Sequence, residues 1–315
     1  MSTKSSKNLT TSNQLFLYEA AHKGLQIHSH VSISEYSPSK LGAVAEFVSI
    51  AYDLSQLVEL VKLAISHKIN YWVVGSMYAT LPSDGGIKGL VIVNKTSNLF
   101  FVNNSSQVVA DSGVNLQHFV TTAAGRGLGG CEYLVTVPGT VGGAIATGVY
   151  FNDKYIWQIV KEINLLVNED GKSEIKTFKA DEFRVGKGEL LFNNALNSPV
   201  ILSAKLQLTS LTIREVLTRI KNYRQIRQVE KINRSYAYVF NNSIKELIDN
   251  NIKKEIFTNR LISQNKKDSD IIEFKQGVTS TDLRNLFIQI ENLSKDTLRQ
   301  RVGYLGYWQN NGEEI

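Results

Sequence analysis

The 315-residue sequence predicts an α+β protein of two or three units rather than one. Three observations predict it. A strand pattern ending near Ile50, an amphipathic helix from Asp53 to Ile65 and a buried-type strand Tyr71-Trp72-Val73-Val74 closing on Gly75 form a βαβ unit. Paired apolar runs around polar turns follow, as antiparallel hairpins do. An amphipathic helix from Ile213 to Val229 then separates this half from a last third rich in Asn, Lys and Ile. With 43% hydrophobic and 20% charged residues, the chain can bury a sizeable core.

Taken in order, Met1 to Asn13 is rich in Ser, Thr, Lys and Asn without an apolar run, a disordered tail and not a signal peptide. Residues 1–30 are set apart as the N-terminal tail, with a short helix and an extended segment between Leu15 and His30. His22, His28 and His30 lack a carboxylate or cysteine at ligand spacing, so they read as solvated or locally satisfied, with no metal. Tyr36 to Ile50 is a turn and then a strand. In the helix that follows, Leu54, Leu57, Val58, Val61, Ala64 and Ile65 fall on one face, with Asp53 or Ser55 as cap. The turn at Gly75 is of the kind that commonly holds a phosphate. Leu99 to Val102 and Gln107 to Val114 read as strands, and Leu116 to Ala124 as a helix. Ile156 to Val167 is a strand, Glu169-Asp170-Gly171-Lys172 a hairpin turn, and Pro199 to Leu208 a closing strand. The helix from Ile213 places Val216, Leu217, Ile220, Tyr223 and Ile226 on its apolar face. Arg214, Lys221 and Arg224 lie opposite, and Arg219 and Arg227 add charge. That charged face is either simply solvated or faces an anion. Ile271 to Phe274 is a strand and Ser280 to Leu293 a helix.

Net charge is +6 and the pI near 9.1, with Lys and Arg spread along the chain. An anionic small ligand suits this balance, and a nucleic-acid partner is not implied. The single cysteine, Cys131, excludes an intramolecular disulfide and a multi-cysteine metal site, and fits a reducing, cytoplasmic setting. No apolar run approaches a membrane span.

The most unusual stretch runs from Gly127 to Ile145, with glycines at 127, 129, 130, 139, 142 and 143 threaded among Leu128, Tyr133, Leu134, Val135, Val137 and Val141. Such a mixture suits backbone held against a core while its N–H groups approach something flat or anionic. Pro138-Gly139 reads as a fixed turn and Thr140 as a cap. A tight turn packed by small residues explains the bare pattern equally well.

Within that stretch, Glu132-Tyr133-Leu134 and Val137-Pro138-Gly139-Thr140-Val141-Gly142-Gly143-Ala144-Ile145 resemble the signature of the UDP-N-acetylenolpyruvylglucosamine reductase (MurB) family of bacterial cell-wall synthesis. The resemblance implies an FAD-binding domain of the vanillyl-alcohol-oxidase type in two parts, residues 31–98 and 99–210. An α/β substrate-binding-like domain over 211–315 follows. It implies Gly75, Ser76 and Tyr78 near the cofactor's pyrophosphate, and Pro138, Gly139, Thr140, Gly142, Gly143 and Ala144 near the flavin. Asp84, Gly86 and Gly89-Leu90-Val91-Ile92 keep the family's spacing. The family's Gly-x-Gly-Ser-Asn loop is replaced by Gly75-Ser76-Met77-Tyr78-Ala79. A long side chain at Met77 is expected to crowd a phosphate, so FAD binding is expected to be weakened or lost.

In the family, NADPH reduces FAD, the flavin reduces an enol-ether double bond, a serine protonates the product, and an arginine and a glutamate stabilise developing charge. Here the serine position aligns with Tyr238. The Tyr-Arg pair aligns with Val185 and Gly186, the following serine with Gly188, and the glutamate with Arg301, a charge reversal. Every inferred catalytic position has changed type, so the resemblance implies a catalytically degenerate family member with a binding or regulatory role. The alternative is an active NADPH- and FAD-dependent reductase of UDP-N-acetylenolpyruvylglucosamine or a related UDP-sugar. It would use Tyr238 as proton donor and Arg184 or Lys187 for the anion. A third reading gives the basic helix a nucleic-acid or protein partner.

Overall fold

The first sheet forms on strands β1 (His28–Ser32), β2 (Val44–Ala51), β3 (Tyr71–Val74) and β5 (Ile87–Asn94), with the short β4 (Thr80–Pro82) outside it. The computed structural model describes residues 11–169, 172–185, 190–192, 199–227, 237–239, 257, 261–264, 271–294, 303–306, 309–310 and 313–314. Sheet order is β1-β2-β5-β3, so β5 lies between the two strands of the expected βαβ unit. β2 and β3 both run parallel to β5, while β1 is antiparallel to β2. Gly89, at φ +96°, lets β5 start against β3, because a Cβ there would collide with the carbonyl oxygen of Asn70.

Helix α1 (Thr11–His22) and helix α2 (Leu54–Ser66) cover one face of this sheet. The Asp53 carboxylate accepts the Gln56 N–H at 2.8 Å and starts α2, whose Leu57, Leu60, Val61, Leu63 and Ala64 are buried. Residues 11–30 are not a tail. Phe16 and Ala20 of α1 are buried beside Phe47 and Leu57, and His28 and Ser29 pair with Val48 and Phe47. Burying Phe16 alone contributes about 2 kcal/mol, enough to hold a polar helix in place.

The second sheet is antiparallel, in the order β12-β11-β15-β7-β6. Its strands are β6 (Leu99–Phe101), β7 (Gln107–Asp111), β11 (Val160–Glu169), β12 (Lys172–Lys179) and β15 (Val200–Gln207). Between β7 and β11 the chain forms helix α3 (Leu116–Ala124), β8 (Leu128–Gly129), a 3-10 turn (Glu132–Thr136), helix α4 (Val141–Ala146) and a hairpin of β9 (Tyr150–Phe151) and β10 (Lys154–Tyr155). These elements and the sheet enclose one core that includes Phe119, Tyr133, Leu134, Ile145, Ile163 and Leu206. The two sheets share apolar contact, since Leu166, Val200 and Leu202 pack with Phe47, Leu90 and Ile92.

After the pair β13 (Phe183–Val185) and β14 (Leu190–Phe192), β16 (Thr209–Ser210) pairs with β8 and leads into helix α5 (Ile213–Arg227). Thr212 and Glu215 form a reciprocal cap at its start, at 2.8 and 3.2 Å. The last third supplies a small sheet of β17 (Ala237–Val239), β18 (Ile262–Gln264) and β19 (Ile271–Phe274), covered by the last helix (Ser280–Ser294). Two devices fasten it to the first unit. The Asp84 carboxylate accepts the N–H groups of Ser280 and Thr281 at 3.2 and 2.6 Å. Strand β20 (Gly303–Leu305) pairs in parallel with β4, Tyr304 opposite Leu81.

Candidate functional site

A cavity of about 400 Å³ opens where the end of β3, the turn before α4 and the start of β15 converge. Gly75, Thr140, Gly142 and Gly143 line it, as do Asn94 and Ser112, with Val200, Gly303 and Leu305 on its apolar side. Of the residues expected near a cofactor, Ser76, Tyr78, Pro138, Gly139 and Ala144 are not in its lining. Ala144 instead enters the core of the second unit.

Thr140 organises the turn. Its hydroxyl accepts the Gly143 N–H at 3.3 Å, as the sequence suggests for a cap, and its carbonyl accepts the Ala144 N–H at 2.9 Å. The Val141 and Gly142 N–H groups donate to the carbonyls of Val114 and Ser112, both at 2.8 Å. These four donors are therefore committed inside the chain. The glycines serve close packing: a Cβ on Gly142 would stand 2.6 Å from Ser112 Cβ, and one on Gly75 would stand 2.5 Å from Thr140 Oγ1. The Gly75 loop and the Thr140 turn thus form one continuous wall.

Met77 does not crowd the cavity. Its backbone is left-handed, at φ 54°, and its side chain is buried in the cluster that includes Val74, Ile87 and Leu305, without entering the cavity lining. The obstacle expected from its length is absent because the side chain is a core residue. Beside it, Ser76 Oγ is shielded from solvent and has no hydrogen-bond partner among the described residues.

Asn94 and Ser112 were not singled out in the sequence. Asn94 ends the apolar run of β5, and its Nδ2 donates to Ser112 Oγ at 2.8 Å. Its Oδ1 accepts both the N–H and the hydroxyl of Thr96, at 3.1 and 2.9 Å. A polar residue closing a buried parallel strand at a reversal of strand order was the available signal. Gly303 and Leu305 carried no local signal.

The inferred catalytic positions are not brought together by described side chains. Tyr238 lies in β17 opposite Ile272, and its side chain falls outside the described residues. Val185 ends β13, whereas Gly186, Gly188, Lys187 and Arg301 lie outside the described residues. Burial raises the Cys131 thiol well above its usual range, with the adjacent Glu132 adding to the effect, so this thiol is chemically quiet.

Residues 45–174 match a family model described as an FAD binding domain. The UDP-N-acetylenolpyruvoylglucosamine reductase of Lactobacillus helveticus is 25% identical over 285 residues, 89% of this chain and 94% of that protein. That of Lactobacillus acidophilus is 26% identical over 285 residues, 87% of this chain and 92% of that protein. Along nearly its whole length the chain thus resembles the UDP-N-acetylenolpyruvoylglucosamine reductase (MurB) family. The crystal structure of MurB from Thermus caldophilus has the same fold, with a TM-score of 0.67 and 16% identity, covering 85% of this chain and 95% of that one. The architecture is accordingly α+β, with a MurB-type FAD-binding domain.

The cavity's own features suit FAD, the cofactor of that domain. Gly143 leaves open space, since a Cβ there would meet only Thr140 Oγ1, at 3.3 Å. Ser76 Oγ is a buried polar atom in the adjoining loop that lacks a partner among the described residues. The described residues lining the cavity are all neutral, so a pyrophosphate would be met by dipoles and hydroxyls and not by a cation.

Proposed function

We propose that this MurB-like chain holds FAD in the cavity between the Gly75 loop and the Thr140 turn, and that it no longer performs the family's reduction. The observation that carries the first half is the cavity itself, walled by Gly75, Thr140, Gly142 and Gly143, with Met77 withdrawn into the core. Gly75, Gly142 and Gly143 would let the cofactor approach the backbone, and Ser76 and Tyr78 carry hydroxyls in the same loop. When bound, FAD supplies two-electron chemistry at its ring system. With the neighbouring N–H groups used internally, the cavity offers fewer backbone donors than the glycine pattern suggests, which favours weakened binding.

Support for the second half is the joint replacement at Tyr238, Gly186 and Arg301. Reversing the charge of a residue that stabilises a transition state is not rescued by its neighbours. The proposed units are residues 11–98, 99–210 and 211–315, the last retaining an affinity for a UDP-sugar or another anionic small ligand. Among the described residues no helix is long and apolar enough to cross a membrane. The reading takes the protein to be cytoplasmic, in keeping with its single thiol.

The visible spectrum of the purified chain, before and after anaerobic NADPH, tests both halves. The expected result is a flavin band whose colour, once bleached by dithionite, is not restored by UDP-N-acetylenolpyruvylglucosamine. Bleaching by NADPH and recovery with that substrate would establish the active reductase instead. Failure to retain or take up FAD would refute the cofactor assignment.

A further inference from the structure

A second cleft, of about 330 Å³, lies between the Glu132–Thr136 turn, the β9–β10 hairpin and helix α5. It shares no lining residue with the cavity at Gly75. Its floor is Glu132, only 2% exposed. The carboxylate folds back over the glycine stretch: Oε2 accepts the Gly130 N–H at 2.7 Å, and a Cβ on Gly129 would stand 2.5 Å from Oε1. Gly129 therefore makes room for a carboxylate of the chain itself, to which Gly130 donates its N–H.

Oε1 is buried and has no hydrogen-bond partner among the described residues. Among the described residues Arg219 of α5 pairs with it, its Nη1 3.6 Å away. That distance supplies charge but exceeds the 2.7–2.9 Å of a charge-assisted hydrogen bond. The Arg219 side chain is half exposed and lines the cleft, where its guanidinium presents N–H donors. Asn222, Tyr223 and Ile226 follow it on the same helix face at spacings that stack side chains. Across the cleft, Asn152 and Asp153 have φ of 51° and 60°, the left-handed pair of a two-residue hairpin turn, which sets Asn152 and Lys154 at the rim.

The electrostatics select a ligand class. A simple anion would leave Glu132 Oε1 without a donor, and a simple cation would meet both Arg219 and Lys154. We propose that this cleft binds a small zwitterion of the α-amino-acid class, its ammonium donating to Glu132 Oε1 and its carboxylate held by Arg219 and Lys154. Tyr223 and Ile226 form the apolar wall for its side chain, so a branched aliphatic amino acid fits best. The cleft is at the small end of the range for ligand sites. The assignment is independent of whether FAD is bound or any reduction occurs.

Titration calorimetry of the full chain with L-valine, isobutylamine and isovalerate, at matched ionic strength, tests it. L-valine should bind about tenfold more tightly than either half-molecule, the worth of adding one charged hydrogen bond. E132Q keeps an acceptor for Gly130 and should lower the L-valine affinity about tenfold, with R219Q doing the same. R219Q, at a half-exposed position, carries the test if E132Q does not fold. Equal binding of isovalerate and L-valine, no binding of L-valine, or unchanged affinity in both variants would overturn the proposal. So would competition between L-valine and FAD.

Discussion

Replacing Gly75 with alanine probes the wall between the two loops of the cavity. Its φ lies outside the left-handed range, so alanine meets no backbone strain, and Gly→Ala would by itself stabilise by about 0.4–1 kcal/mol through the unfolded chain. Against this, the new methyl would stand 2.5 Å from Thr140 Oγ1 and 2.9 Å from Thr140 Cγ2. Overpacking of that kind costs about 1–3 kcal/mol. Thr140→Ala alone removes the cap on Gly143 and costs about 1 kcal/mol. In the double variant both clashing atoms are gone, and the closest remaining contact is Thr140 Cβ at 3.3 Å. The pair should therefore be less destabilised than the sum of the single changes by about 1–3 kcal/mol. Urea unfolding of the four proteins gives this coupling, and flavin fluorescence gives the accompanying change in FAD affinity. Additive effects within about 0.5 kcal/mol would show that the loops do not touch as described, and the geometry of the cavity would fall with them.

Three further outcomes follow from the same structure. Asp84→Ala removes the acceptor of the Ser280 and Thr281 N–H groups and should cost about 1–2 kcal/mol, with faster limited proteolysis in the last third; an unchanged proteolysis rate would contradict the fastening role. Cys131 should not react with a disulfide reagent near about pH 8 until the protein is unfolded, and prompt labelling of the folded chain would contradict its burial. Burial raises the Asp111 carboxyl above its usual range against an opposing hydrogen bond from the Asn98 N–H. The folded chain holds this proton more tightly than the unfolded one, so the stability it contributes is present at low pH and lost as pH rises through the folded-state value. Denaturant midpoints between about pH 3.5 and about pH 7 should fall less with rising pH in Asp111→Asn than in the parent, and parallel curves would refute the assignment.

Local chemistry in the sequence foretells local structure well. The spacing of Leu57, Val61 and Ala64 and the carboxylate of Asp53 foretell α2, because a helix is closed by bonds within itself. Thr140 is legible as a cap for the same reason. Strand order is not local: the insertion of β5 between β2 and β3 depends on pairing that no single stretch encodes. Helix α5 shows a related limit. Ile213, Leu217 and Ile226 fall on the apolar stripe yet stay about half exposed, while Val216 and Ile220 are buried. The helix meets its neighbours along a narrower line than its sequence would allow. At the candidate site, the glycines mark close packing correctly, but what packs against them is invisible. Gly75 faces Thr140, Gly142 faces Ser112 and Gly129 faces a glutamate, so the same residue type answers to three different neighbours. The length of Met77 says nothing of its direction: the residue has a left-handed backbone and its side chain belongs to the core.

The pairing of β20 with β4 joins segments more than two hundred positions apart and brings Gly303 and Leu305 to the mouth of the cavity. A chain emerging from the ribosome has both halves of the glycine wall long before it has this last piece. Cofactor capture should thus be a late event in biogenesis, and a protein cut short before residue 303 should fold its first sheet yet lose its prosthetic group on dilution.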